Sequence, residues 1–329
     1  MMRVARPTIL SSRTLNRLIL AVGAVLVVGT IAIVGLYVTD RFHPAVPAII
    51  DQRTVQLEEA VRKDPQNLNI RLQLAGAYTV AQRYDDALAQ YNTVLKAEPQ
   101  FKSALLGRGQ VLALKSDNDN AAKDFQAVID MAKSGEFAAE DTELAAAYYG
   151  LGAIRLAQGK AQDATTLLVA ALGITKTDAD TLNLLGAAFL QTGQTAKSIE
   201  ALRGAVMFVP TTWPDPYATL AKAYAAANQP AEAAWATAMV ELAKKQTDDA
   251  IAALKPLATG PAAADAKVGL GLAMEAKGDL AAAADWYRQA LAINPGDFSA
   301  QAGLARATSS TNPHPSIAAP SAMPAGQGS

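Results

Sequence analysis

Apolar and polar positions change rhythm twice along this chain. From Leu18 to Tyr37 the sequence reads LILAVGAVLVVGTIAIVGLY, 20 residues without a charge and with only Thr30 polar in the interior. A helix of that length spans about 30 Å, the thickness of a bilayer's hydrocarbon core. The run predicts a transmembrane helix, with Tyr37 as an interfacial anchor. Residues 38–50 contain Pro44 and Pro47 and read as a stiff linker. Then a helical pattern starts and recurs. Its clearest copy runs from Leu68 to Pro99 and holds Leu74-Ala75, Tyr78, Ala87, Tyr91, Val94 and Pro99. The same offsets return at Leu185-Gly186, Phe189, Ser198, Leu202, Ala205 and Pro210, and at Leu270-Gly271, Met274, Ala283, Tyr287, Ala290 and Pro295. Three weaker copies lack the final proline and are centred on Gly109, Gly152 and Ala221. Turn residues split every copy into two helices: Gln82-Arg83, Ser116-Asp117-Asn118, Gly159-Lys160, Gly193-Gln194, Asn228-Gln229-Pro230 and Gly278-Asp279. Leu57, Ala60 and Pro65 repeat the closing half of a copy and predict a leading helix over 51–63. A closing helix is predicted over Phe298–Thr308, with Gln301 and Arg306 exposed.

A small residue in the first helix lets the second pack closely, and bulky residues three or four places away fill the space between them. No pair buries its apolar face alone, so pairs must stack. This pattern resembles the tetratricopeptide repeat (TPR), whose period is 34 residues. Leu74 to Arg108 and Leu151 to Leu185 are each 34 residues, and Leu185 to Leu220 is 35. Two intervals are longer. Arg108 to Leu151 is 43 residues, with the surplus placed around 133–141. Leu220 to Leu270 is 50, and there Thr247–Lys255 reads as an extra helix, ended by Pro256 and pairing with a lengthened helix from Ala231 to Lys245. The fold class expected is all-α: an α-solenoid of TPR helix-turn-helix repeats over 51–308, preceded by a single transmembrane helix over 18–37. The tail, 309–329, has four prolines and no periodicity, and is expected to be disordered.

Composition narrows the chemistry. Hydrophobic residues make up 51% and aromatics 6%, so alanine carries much of the apolar fraction and favours helix. There are no cysteines and two histidines, His43 and His314, both beside prolines. Disulfides, thiolate metal sites, a cysteine nucleophile and a histidine-based relay have little to build on. No cofactor is expected. The net charge of −1 provides no field for nucleic acid. Arg3, Arg6, Arg13 and Arg17 precede the apolar run with no acid among them, which predicts a basic cytoplasmic segment over 1–17 and an extracytoplasmic body in a single-pass inner-membrane protein. The run is longer than a signal-peptide core of about 7–15 residues, and Val38-Thr39-Asp40 offers no small-residue cleavage site, so the anchor is expected to stay uncleaved.

Three acidic pairs, Glu58-Glu59, Asp85-Asp86 and Asp248-Asp249, point about 100° apart on a helix and form no cleft. The last two fit helix starts, where acids suit the dipole. Gly107-Arg108-Gly109 lacks the lysine and the strand of a phosphate loop. Trp213 opens a rigid loop; Trp235 and Trp286 fall inside helices as packing residues. The resemblance implies an inner groove lined by the first helix of each pair. The partner-binding positions it implies are Leu72, Leu106, Tyr149, Leu156, Asn183 and Leu190, with Thr79, Gln110, Lys222 and Leu272 on the same face. The same leucines fit burial by a neighbouring repeat equally well. The basic clamp that some TPR proteins place there is replaced mostly by Leu, Ala and Gly. The expected function is therefore a membrane-anchored extracytoplasmic scaffold or chaperone-like adaptor, not an enzyme, that binds a protein or peptide segment. Two narrower readings of the same layout are a cytochrome c maturation factor holding apocytochrome and an accessory subunit of an envelope enzyme complex.

Overall fold

The computed structural model describes residues 48–208, 211 and 213–309. The predicted transmembrane helix over 18–37, the basic segment 1–17, most of the linker and nearly all of the tail lie outside the described residues. Among the described residues no helix is long and apolar enough to cross a membrane. Those residues form fifteen α-helices and no strand: α1 Ala48–Lys63, α2 Leu68–Val80, α3 Tyr84–Ala97, α4 Lys102–Leu114, α5 Asn118–Ala132, α6 Thr142–Ala157, α7 Ala161–Ile174, α8 Ala179–Gln191, α9 Thr195–Phe208, α10 Pro214–Ala226, α11 Pro230–Ala243, α12 Thr247–Leu254, α13 Ala263–Lys277, α14 Leu280–Ile293 and α15 Phe298–Ser309. α1 starts at Ala48, three residues before the leading helix predicted from Asp51.

Seven turns share one backbone solution. Gln82, Ser116, Gly159, Gly193, Asn228, Lys245 and Gly278 all have positive φ, between 57° and 79°. In each turn the next residue donates its N–H to the carbonyl five positions back, at 2.8–3.0 Å. This is the left-handed helix stop that satisfies the last free carbonyls and reverses the chain. Glycine adopts it without strain, whereas the four other residue types do so against a steric penalty. Six of these turns carry the turn residues read from the sequence. The seventh, at Lys245, falls inside the lengthened helix predicted over Ala231–Lys245. α11 instead ends at Ala243 and has ordinary length, because Lys245 adopts the same left-handed stop as its six counterparts without the glycine or asparagine that would advertise it.

The chain divides into two compact units, one ending at Thr93 and one beginning at Val94. In the first, the Tyr78 hydroxyl donates to Glu58 Oε1 at 2.8 Å and Arg83 reaches the same oxygen at 3.1 Å, tying α2 to α1. The Arg83 guanidinium also lies over the Tyr78 ring, 4.2 Å from its centroid. Hydrogen bonding to Glu58 and burial push the Tyr78 hydroxyl up to about 12, burial being the larger effect.

In the second unit four hairpins close by one rule. A glycine in the first helix faces a bulky residue sixteen positions later in the second: Gly109 and Phe125, Gly152 and Leu168, Gly186 and Leu202, Gly271 and Tyr287. A Cβ added at any of these glycines would lie under 3 Å from its partner. The surplus residues between α5 and α6 make a loop with a single 3-10 turn, Ala138–Glu140. Asp141 ends that loop by capping α6, accepting from the N–H groups of Glu143 and Leu144, and Lys102 pins it at 2.6 Å. Asp248 and Asp249 do lie in the first turn of α12, as their pairing suggested.

The extra helix predicted after α11 is present as α12, and it changes the array. Ala238 on α11, Ala250 and Leu254 on α12 reproduce the small, small and bulky positions of a hairpin, and all three are buried. α11 therefore serves twice, as second helix to α10 and as first helix to α12. It buries Trp235, Ala236, Ala238, Met239, Val240, Leu242 and Ala243 and leaves a narrow stripe at Ala234 and Thr237 exposed, as expected of a helix packed on two sides. A Cβ at Gly269 would meet Met239 Sδ at 2.9 Å and Leu254 Cδ1 at 3.0 Å, which shows α13 seated against both.

Tyr287 sits between Gly271 of α13 and Gly303 of α15. Gly303→Ala should force that ring to move and lower stability by about 1–3 kcal/mol. Gly76→Ala and Gly173→Ala meet nothing within 4 Å and should instead stabilise by about 0.5–1 kcal/mol through helix propensity. Thermal unfolding of the three variants checks both signs.

Candidate functional site

The six groove positions read from the sequence have different fates. Leu72 lies in the N-terminal unit and is half-buried. In the C-terminal unit Leu106 and Leu156 are only 9% exposed, so most of their apolar surface is already used in packing. Tyr149 packs on the cluster of Leu156, Leu168, Leu185 and Phe189, and burial, with Asp180 and Asp178 nearby, raises its hydroxyl above the ordinary tyrosine range. Asn183 is half-buried and its Oδ1 has no hydrogen-bond partner. Leu190 packs against the next cluster, which contains Leu220 and Trp235. Tyr149, Asn183 and Leu190 thus keep some accessible surface. Of the other positions on that face, Gln110 and Lys222 are exposed, Thr79 spends its hydroxyl on the Ala75 carbonyl, and Leu272 lines a cavity that the sequence reading did not anticipate.

That cavity has a volume of about 550 Å³ and is walled by α9, α10, α11, α13 and α15. α12 adds one helix where a whole repeat would add two, and across the cavity α9 and α13 are joined by a side-chain pair. Arg203 of α9 donates to both carboxylate oxygens of Asp265 of α13, at 3.0 and 2.9 Å, and to the Tyr224 hydroxyl at 2.7 Å. Its guanidinium lies 5.7 Å from the Trp235 ring centroid. Hydrogen bonding to Asp265 holds Arg203 above the ordinary guanidinium range, against the opposing effect of burial. Tyr217 and Trp235 form an aromatic floor, meeting edge-on at 6.0 Å between centroids, and Tyr224 backs Trp235 at 6.4 Å. Burial foremost, then the Asp265 charge, pushes the Tyr217 hydroxyl up to about 12.

A second ion pair stands on the same wall. Arg306 of α15 donates to Glu275 Oε2 of α13 at 2.9 Å, and the Tyr287 hydroxyl donates to that oxygen at 3.0 Å. Arg306 has the exposed position predicted for it, with the added role of tying α15 to α13. Asp297, before α15, accepts from the Ala300 N–H at 2.9 Å. The mouth is apolar. Met207 and Phe298 line it while 48% and 60% exposed. Trp235 is a packing residue, as expected from its place within a helix, and also a wall of the site. Nothing local in the sequence pairs Arg203 with Asp265, 62 positions away. Among the described residues no group of three or more His, Cys, Asp or Glu could hold a metal ion.

Residues 72–136 and 236–298 match the family model of the tetratricopeptide repeat, and the chain contains such repeats over those segments. The second match begins within α11, in keeping with that helix opening a repeat. No curated protein matches the chain. Among solved structures it is similar to a chain of the APC/C hetero-tetramer Cut9–Hcn1, at 19% identity over 78% of this chain and 46% of that one, with a TM-score of 0.47. The chain thus spans just under half the length of that relative. It is also similar to MamA 41-end from Desulfovibrio magneticus RS-1, at 21% identity, 56% and 98% coverage and TM-score 0.47. PilW, a type IV pilus biogenesis factor, matches at 20% identity, 73% and 99% coverage and TM-score 0.47. Likeness at this level bears on neither partner nor activity.

Arg203→Gln should release α13 from α9. Hydrogen bonds to charged groups contribute about 1.5–3 kcal/mol, and Arg203 is 44% exposed, so a loss of about 1–2 kcal/mol is expected together with a red shift of Trp235 emission. Tyr217 adds a pH signature. Its folded-state value of about 12 lies above the ordinary 10.0, so its contribution is fully present below pH 10 and is lost as pH rises from there toward 12, at about 1.4 kcal/mol per unit. Denaturant titrations at alkaline pH should show that slope reduced in Tyr217→Phe.

Proposed function

We propose that this protein is a membrane-tethered adaptor whose repeat array binds partner polypeptides on the extracytoplasmic side and acts as a scaffold or chaperone-like holder. Its work is binding, with no bond made or broken. The observation that carries this reading is the set of apolar side chains left partly or largely uncovered, Tyr149 on α6, Leu190 on α8, and Met207 and Phe298 at the mouth of a formed cavity. A repeat array presents such side chains on a rigid frame, which lowers the ordering penalty of association. Burying one apolar side chain is worth roughly 1.5–3 kcal/mol, so a few anchors support micromolar binding. The membrane part rests on the uncharged run 18–37 and the four arginines before it.

Affinity capture with the full chain from detergent extract should recover a protein partner in stoichiometric amount and should weaken only modestly in moderate salt, because apolar burial carries most of the contact. Tyr149→Ala combined with Leu190→Asp should reduce recovery severalfold while helical content stays unchanged. A reporter active only after export, fused after Ser329, should be active. Capture that collapses in moderate salt and ignores the double substitution would move the contact to the charged outer face, and an inactive reporter would put the array in the cytoplasm.

A further inference from the structure

We infer that the cavity between α9, α11, α13 and α15 is a receptor for an arginine side chain presented by a partner polypeptide, an inference that rests on the polypeptide-binding reading above. Its charges decide the sign of the ligand. The Arg203 guanidinium is committed to Asp265 and Tyr224, and Arg306 donates to Glu275. Both cations are thus already neutralised by a carboxylate, so an added anion would find no unpaired positive charge among the lining residues. The lining carries three carboxylates, Asp265, Glu275 and Asp297, against two guanidiniums, Arg203 and Arg306. Asp297 uses one oxygen to cap α15 and has no ion-pair partner among the described residues. The uncompensated charge is therefore negative and sits beside Phe298, the most exposed of the apolar side chains on the cavity wall.

A carboxylate next to an open aromatic face suits a guanidinium, which stacks on the ring and donates in its plane. The aliphatic stem of the same side chain would lie along Leu272 and Val268 on the cavity wall. The exposed mouth identifies the carrier. Met207 and Phe298 gain from being covered by apolar residues flanking the cation, which a polypeptide supplies and a free polyamine does not. A volume of about 550 Å³ also exceeds one side chain and leaves room for its neighbours in the chain.

The test uses the full chain in detergent with Trp213→Phe and Trp286→Phe, which leaves Trp235 as the single tryptophan reporter. The probe is a blocked nine-residue peptide of alanine and leucine with one central arginine. Glutamate and norleucine versions and spermidine serve as comparators. The arginine peptide should shift Trp235 emission saturably and bind at least fivefold tighter than every comparator. Asp297→Asn, which keeps a side chain able to cap α15, and Phe298→Ala should each weaken it at least fivefold. Val169→Ser, on an exposed position of α7 away from the cavity, should leave it unchanged. Equal binding of norleucine, glutamate or spermidine, no saturable shift, or indifference to both Asp297→Asn and Phe298→Ala would overturn the assignment. Partner capture that persists while the arginine peptide is ignored removes this inference alone. Capture that never occurs removes the adaptor reading instead.

Discussion

The contact on which the stacking of the C-terminal unit depends is the seating of a bulky side chain against a bare backbone, sixteen residues away across a helical hairpin. Phe125 on Gly109, Leu168 on Gly152, Leu202 on Gly186 and Tyr287 on Gly271 leave no room for even one more carbon. Dispersion falls steeply with distance, so this closeness is what makes a small alanine-rich interface hold. It also sets the helix spacing within each pair, and hence the surface offered to the next pair. An array built this way transmits geometry from neighbour to neighbour and has no other core.

Because geometry passes along the array one helix at a time, a single added helix has consequences beyond its own length. α12 makes α11 both the end of one hairpin and the start of another, and α13 then meets helices on two sides. Arg203 and Asp265 close the resulting gap with two charge-assisted hydrogen bonds. Space that would be filled by packing in a regular stack is left as a cavity with an aromatic floor. Glu275 and Arg306 hold α15 across the same wall, and Tyr287 links that pair to the close contact at Gly271. The site and the terminal hairpin therefore share their supports.

Charge follows a related logic at the repeat level. Arg108 stands where a leucine would otherwise occupy the first helix, and it meets Asp124, only 5% exposed, through two 2.7 Å hydrogen bonds. Desolvating such a pair is costly, and leaving either member alone would be worse. In the cavity wall the balance is left one carboxylate over, and Asp297 lies at a helix start, where the local dipole tolerates a negative charge.

Much of the architecture was legible in the residues taken singly. Spacing of small and bulky positions placed the hairpins, and glycine, asparagine or serine marked five of the seven reversals, with Gln82-Arg83 read as a sixth. Those signals are local: a left-handed turn or a helical face is decided within a few residues. Lys245 escaped because lysine does not favour a left-handed conformation and so announces no turn. Leu106 and Leu156, read as possible anchors, turned out largely consumed by packing, because periodicity identifies an apolar face without saying what covers it. The cavity was out of reach for a stronger reason. Its walls come from five helices between Arg203 and Arg306, and the pair that bridges it, Arg203 and Asp265, is 62 residues apart, so only the tertiary arrangement brings them together.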